Sequence, residues 1–400
     1  MNIDRSNRPR VLIGAYAFGP SDEPEASAGW AFALAAAADH DVWVVCRRRF
    51  VQEIKDFLTT DVVLAKHLHV IHIDLPDKLR RTYRRPWDLY WNYILWQKLA
   101  ARTAKRLHAE VHFDVVHHVT FANDWMPAGV AQIKSVPFVW GPVGGATRIP
   151  IWRLRRWLGF RGVVYEIARG LLTGIPRRIW GDANARRACV VAVQNEDVAH
   201  RYRRARRVVI EPNASLDATL LPQRTLPNRL GRQAVFVGRL IPLKGGSIAI
   251  ASLAHAQAQV WSLEIYGAGP EEAALLSLAR RLGVSDRVMF HGHCPRQEAL
   301  DAMSKADVLL FPSMHDQAGW AAAEASSMGT PVVCLPLGGP PTLAQPNAYI
   351  VSLDGDLIFN VVTAMNRAAV EGGVPHSRWS QERLREVVTE WYCDARKGVM

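Results

Sequence analysis

Cysteine is scarce in this chain and unpaired. The five cysteines (Cys46, Cys189, Cys294, Cys334, Cys393) are scattered and odd in number. None forms a Cys-x-x-Cys pair, which excludes reading them as a zinc site or a disulfide framework and fits a reducing cytosol. Long hydrophobic runs are missing too: no stretch of about 18 uninterrupted apolar residues occurs, so no spanning helix is predicted. The opening residues, Met1 to Arg8, lack the apolar core of a secretion signal, and a cytoplasmic location is expected. Neither a low-complexity tract nor a short-period repeat is visible. What is there is a globular composition, 49% hydrophobic over 400 residues, too long for one ordinary domain and read as two.

Acidic residues are also in short supply. Asp and Glu number 37 against 49 Lys and Arg, a formal charge of +12, which favours an anionic partner. The excess is uneven: Arg148 to Arg187 holds ten arginines against two acids, Glu166 and Asp182, interleaved with Trp152, Trp157, Phe160, Tyr165, Leu171, Leu172 and Trp180. One reading is a solvated helical face whose arginine stems cover apolar surface. The other is a helix lying on an anionic membrane, peripheral at its inner face, or binding a phosphorylated acceptor. The cations are not interleaved with a nucleic-acid module, so no nucleic-acid partner is expected.

The fold class read from the pattern is α/β, with two doubly wound, Rossmann-like domains facing a central cleft. Strands are predicted at 10–14, 41–45, 114–119, 137–140 and 189–193, with a loop through Ser27, Gly29 and Trp30 leading into a helix at 31–39. A Pro-bearing segment breaks the pattern and reads as a linker. The grammar then restarts: strands at 234–238, 261–265, 287–290, 307–313 and 331–334, and helices at 245–257, 271–282 and 298–305. The expected division is a first domain at 1–212, a linker at 213–230 and a second domain at 231–377, with a C-terminal helix within 378–400 packing back on the first domain.

Chemistry concentrates in the second half. The stretch Asp316-Gln-Ala-Gly319-Trp320-Ala321-Ala-Ala-Glu324 follows an apolar strand. It places two carboxylates around a Gly turn and a helix start, where free backbone N–H groups and the positive dipole end favour an anion. Carboxylates that accept hydroxyls beside an anion site describe a sugar nucleotide. Gly238-Arg239 ends the first strand of this domain and Lys244 precedes its helix. Ligands of parallel sheets bind beyond the carboxyl ends of the strands, so both cations are expected in the same crevice, where they would stabilise a leaving diphosphate without metal.

These pieces, with Tyr266-Gly-Ala-Gly269-Pro270-Glu271, Arg287-Val-Met-Phe-His-Gly292, Ala306 to Ser313 and Gly329-Thr-Pro-Val-Val333, resemble the nucleotide-sugar domain of glycosyltransferase family 4 in the GT-B fold. The first half is similar more loosely, through Ser27-Ala-Gly29-Trp30, Asp114 to Phe121 and Trp140 to Gly145. The resemblance implies a retaining, metal-independent transfer of a hexose-type sugar from a nucleotide diphosphate sugar to an acceptor hydroxyl, as in surface polysaccharide or glycolipid synthesis. A soluble specialised metabolite is the alternative acceptor. Arg239 and Lys244 would stabilise the diphosphate and Glu324 would hold the ribose hydroxyls. The earlier acid, usually a glutamate in that family, is here Asp316, one methylene shorter, and would hold the donor sugar. The backbone of Gly319, Trp320 and Ala321 would meet sugar or phosphate, and the loop with His293 would lie over the base. In the first half, Gly29 would approach the diphosphate. His118, rather than His117, would face the anomeric centre, and His117, Gly144 and Gly145 would line the acceptor side. No cofactor or metal is expected, since Asp39-His-Asp41 and Asp354-Gly-Asp356 both read as turns. Two other classes meet the same residues: a sugar-nucleotide hydrolase or epimerase of the same fold, and a non-enzymatic, basic membrane-binding protein.

Overall fold

The computed structural model describes residues 8–21, 23–80, 85, 88–228 and 230–398. The opening residues read above for a secretion signal lie outside this range except for Arg8, as do the last two of the C-terminal segment. The chain builds two all-parallel sheets. The first holds β1 (Arg10–Ala15), β2 (Asp41–Cys46), β3 (Leu68–His72), β4 (Val115–Thr120), β5 (Phe138–Val143), β6 (Val190–Val193) and β7 (Val208–Ile210), in the order 3-2-1-4-5-6-7. The second holds β8 (Arg232–Val237), β9 (Trp261–Tyr266), β10 (Val288–Gly292), β11 (Val308–Phe311), β12 (Val332–Cys334) and β13 (Ala348–Ile350), in the order 10-9-8-11-12-13. The central strands are wholly buried, as β4, β5 and β11 show, because helices cover both sides. In each sheet the strand order reverses once at the centre, between β1 and β4 and between β8 and β11. A crevice opens outside the strand ends at such a point.

Three strands and several helices carry no sequence signal of the expected kind. β3 reads Leu-His-Val-Ile-His and β7 and β13 are three residues each, too short or too polar to show a period. The helix expected to begin after Trp30 starts instead at Pro24 and runs to Ala37. Proline at the first helical position and Glu25 in the first turn suit a helix start, and Ser27 and Gly29 are helical residues.

The segment read as a linker is packed rather than loose. Ala214 and Leu216 are buried with Ala318, Ala323, Leu343 and Trp379. The returning chain runs beside it: the Leu216 amide donates to the Trp379 carbonyl at 2.7 Å, and Leu216 and Ser380 form a parallel bridge. Arg383 clamps both oxygens of Glu211 at 2.6 and 2.7 Å. The chain therefore crosses between the domains twice at one place. Beyond the second crossing, the helix Gln381–Lys397 sinks Leu384, Val388, Trp391, Tyr392 and Ala395 into the core of the first domain. No helix of the described residues is long and apolar enough to cross a membrane.

Candidate functional site

A cavity of about 820 Å³ lies between the two sheets. The second domain lines it with Gly238 and Arg239 after β8, Tyr266 and Gly267 at the end of β9, His293 to Arg296 after β10, and Trp320 and Glu324 on the helix Trp320–Ser327. Ser21, Pro24 and Ser27 line it from the first domain, and Ser215, Asp217 and Gln381 from the crossings. Of the residues singled out in the sequence, Gly238, Arg239, His293, Trp320 and Glu324 thus converge on one space.

Glu324 is 6% exposed, and its Oε1 accepts two hydrogen bonds from Arg296, from Nε at 2.9 Å and from a terminal nitrogen at 2.6 Å. Burial pushes its carboxyl above the usual glutamate range, and the Arg296 charge and hydrogen bonds pull the other way. A buried carboxylate with a cation on one oxygen is a fixed acceptor for hydroxyls. Arg296 carried no sequence signal: only the tertiary structure brings it to Glu324 from the helix after β10. The tertiary structure also stacks the rings of Tyr266 and His291 at 4.2 Å beside the cavity. There Glu264 accepts from the Tyr266 hydroxyl at 2.8 Å and lies 3.3 Å from His291 Nε2.

The helix Trp320–Ser327 starts from Gly319 in the left-handed conformation (φ 87°) with no side chain capping it. Its first amides are thus left for a ligand or water. Trp320 donates from Nε1 to Asn213 Oδ1 at 3.3 Å, and the Ala321 side chain packs on the neighbouring core. Lys244 and Asp316, expected on different parts of a ligand, instead form an ion pair with each other, with Lys244 Nζ 5.8 Å from the centre of the Phe311 ring. Neither lines the cavity. Arg239 is exposed and has no ion-pair partner among the described residues.

The first-domain candidates fall elsewhere. His117 and His118 are 0% and 1% exposed, because both lie within β4, beneath helices, while the crevice begins beyond the strand end. His117 Nε2 donates to the Gly141 carbonyl and Nδ1 accepts from the Tyr392 hydroxyl, both at 2.8 Å. His118 points the other way, with Nε2 3.0 Å from the Tyr93 hydroxyl. Burial holds their pKa values down at about 4 and about 3. Both rings brace the core, and the expectation that one faces a reacting carbon is corrected. Gly29 is corrected likewise. A Cβ there would lie 2.5 Å from the Ala17 carbonyl oxygen and 2.8 Å from Thr120, so its close approach is to protein and not to a diphosphate.

Gly144 and Gly145 face the other domain. The Gly145 amide donates to Gln317 Oε1 at 2.7 Å, and a Cβ on Gly144 would meet the same oxygen at 3.2 Å. Asn195 Nδ2 donates to the Gln317 carbonyl at 3.0 Å, and His315 Nδ1 lies 3.5 Å from the buried Glu166. Burial would raise the Glu166 carboxyl, but His315 and Arg169 together hold it below the usual range. The loop carrying Asp316 is therefore braced by the first domain on both sides. Among the described residues, no three His, Cys, Asp or Glu side chains gather as a metal site.

Residues 220–356 match the family described as glycosyl transferases, group 1. A 2-deoxystreptamine glucosyltransferase of Streptomyces kanamyceticus is 30% identical over 273 residues, 66% of this chain and 62% of that protein. The chain therefore spans less than two thirds of that relative's length. A D-inositol 3-phosphate glycosyltransferase of Xylanimonas cellulosilytica is 33% identical over 162 residues, 37% of this chain and 39% of that one. In three dimensions, sucrose-phosphate synthase from Thermosynechococcus elongatus superposes over 98% of both chains with a TM-score of 0.59 at 17% identity, a likeness of fold. The two facing parallel sheets are those of the GT-B fold, and residues 220–356 carry the likeness to the group 1 glycosyl transferases.

Proposed function

We propose that the protein transfers a hexose-type sugar from a nucleotide diphosphate sugar to an acceptor hydroxyl, with retention at the anomeric carbon and without a metal ion. The observation that carries this reading is the buried Glu324, held by Arg296, in the same cavity as the unpaired Arg239. Glu324 would take the ribose hydroxyls. Arg239 would meet the diphosphate, joined by the first amides of the helix Trp320–Ser327. The stacked Tyr266 and His291, with the backbone around His293, offer an aromatic flank for the base. Lys244 reaches the leaving diphosphate once a ligand competes for its pairing with Asp316, and Asp316 is then released toward the donor sugar. Retention and metal independence rest on the family resemblance, in which the leaving phosphate assists removal of the acceptor proton.

The test is thermal unfolding of the pure protein with UDP, GDP or ADP. A nucleotide that binds the native state raises the midpoint by mass action, by about 2.7 kcal/mol in stability at a hundredfold excess over Kd. One of the three is expected to do so, without added divalent metal. No shift with any of them, up to millimolar concentration, would overturn the donor-site assignment.

A further inference from the structure

The arginine-rich segment of the first domain folds with its apolar side outward. The helical stretch Ile151–Pro176 turns at Gly159, where the backbone is non-helical. After the turn, Phe160, Val164, Ile167, Leu171 and Ile175 follow one another at spacings of four, three, four and four residues, which lines them along one face of a helix. All five are exposed, Phe160 at 84%, Leu171 at 76% and Ile175 at 70%. The face against the protein is mostly polar, with Val163 as its apolar contact. It carries Gly162, Glu166 and Thr173, all buried, and Arg169. A helix on a water-soluble domain ordinarily has the opposite arrangement, and a contiguous exposed apolar face of this kind marks a docking surface.

Charge identifies what docks. The only two acids of the segment are already taken: Glu166 by Arg169 and His315 on the inner face, and Asp182 by Arg201. Three arginines turn inward as well, Arg169 to Glu166, Arg177 to the buried Asp124 and Arg187 to backbone carbonyls. Arg161 and Arg178 remain exposed on the stretch that carries the stripe, and Arg155 and Arg156 are exposed just before its turn at Gly159. A second copy of the chain docked on the same face would set these cations against each other, which disfavours self-association. An anionic bilayer offers apolar depth for the stripe and headgroup charge for its rim. We infer that the helix Phe160–Ile175 lies in the interface of an anionic membrane. Its inner face, through Glu166 and His315, braces the loop that carries Asp316, so docking there would hold that loop next to a lipid surface. The inference rests on this helix alone and not on the donor-site reading.

Flotation of the full chain with phosphatidylglycerol-rich vesicles tests it, with pure phosphatidylcholine vesicles as the control. Binding is expected to the anionic vesicles, weakened by salt. The double variant Leu171→Glu, Ile175→Glu should reduce it about tenfold or more, and Arg161→Glu with Arg178→Glu should reduce it on anionic vesicles. Since all four side chains are exposed, unchanged thermal midpoints and nucleotide-induced shifts will show that the variants fold. Absence of vesicle binding, or binding indifferent to Leu171→Glu and Ile175→Glu, overturns the inference. So does a dimer in sedimentation that the same double variant dissolves, which would assign the face to a second copy.

Discussion

Glu324 sits under opposing influences: burial favours its neutral form and Arg296 its charged form, with burial the larger. Only the carboxylate can accept two hydroxyls at once, so the proposed site works above the raised pKa of this group and fails as pH falls through it. Nucleotide affinity, measured by titration calorimetry, should therefore decline on acidification at a higher pH than an ordinary glutamate, near 4.3, would produce. Glu324→Gln should weaken binding about ten- to a hundredfold, the worth of charge-assisted hydrogen bonds, and flatten that pH dependence. Affinity in the variant that still matches the native protein would remove Glu324 from the site. Much of this was legible in residue order, since a glutamate eight positions after an acid at a strand end and helix start already suggested hydroxyl binding. Arg296 was not legible, because a cation from another helix leaves no trace in local spacing. Asp316 shows the converse. Its place between a strand end and a helix start is legible in the chain, but its pairing with Lys244 exists only where the ends of β8 and β11 meet.

At the scale of elements, the helix Gln381–Lys397 belongs in packing to a domain whose other described elements end some 170 residues earlier in the chain. It stacks Trp391 on Phe32 and supplies the Tyr392 hydroxyl to His117. Trp391 is 2% exposed. Trp391→Ala should destabilise the first domain by about 3–5 kcal/mol, the usual range for emptying a buried aromatic site. Urea unfolding measures this, and a loss below about 1 kcal/mol would mean that the helix docks weakly. The same contact explains why β4 misled a sequence reading. Two adjacent histidines near the end of a strand look like cleft residues, yet β4 is a central strand and helices close over both its faces. Alternation sends His117 toward Tyr392 and His118 toward Tyr93. Strand periodicity shows that the two point apart, but not that both directions are filled.

Across the whole molecule, the two chain crossings lie side by side, bridged at Leu216 and Ser380 and clamped by Glu211 and Arg383. Paired crossings form a natural hinge. On the far side, Gln317 joins the domains through the Gly145 amide and Asn195. Gln317→Ala removes the bond from Gly145, worth about 1 kcal/mol, and should shift the closed-to-open ratio about fivefold. The expected readout is a larger radius of gyration in small-angle scattering without nucleotide and more free sugar relative to transfer product, since a looser cleft admits water. Unchanged scattering and product ratio would show that this contact does not govern closure. Gly144 and Gly145, read from the chain as an acceptor wall, act at this scale, because the surface they leave open is occupied by the other domain.

The sequence by itself determined the two-domain α/β plan and the neighbourhood of the candidate donor site. Strand periods, glycine turns and the residues that follow strand ends are local features, and parallel sheets always open their crevice at those ends. The tertiary structure alone decided which side chains share that crevice, which histidines are sealed beneath helices, and which face of the arginine-rich helix is turned outward. Those are relations between segments distant in the chain. Burial and ion pairing depend on what packs against a residue, and no spacing along one segment carries that information.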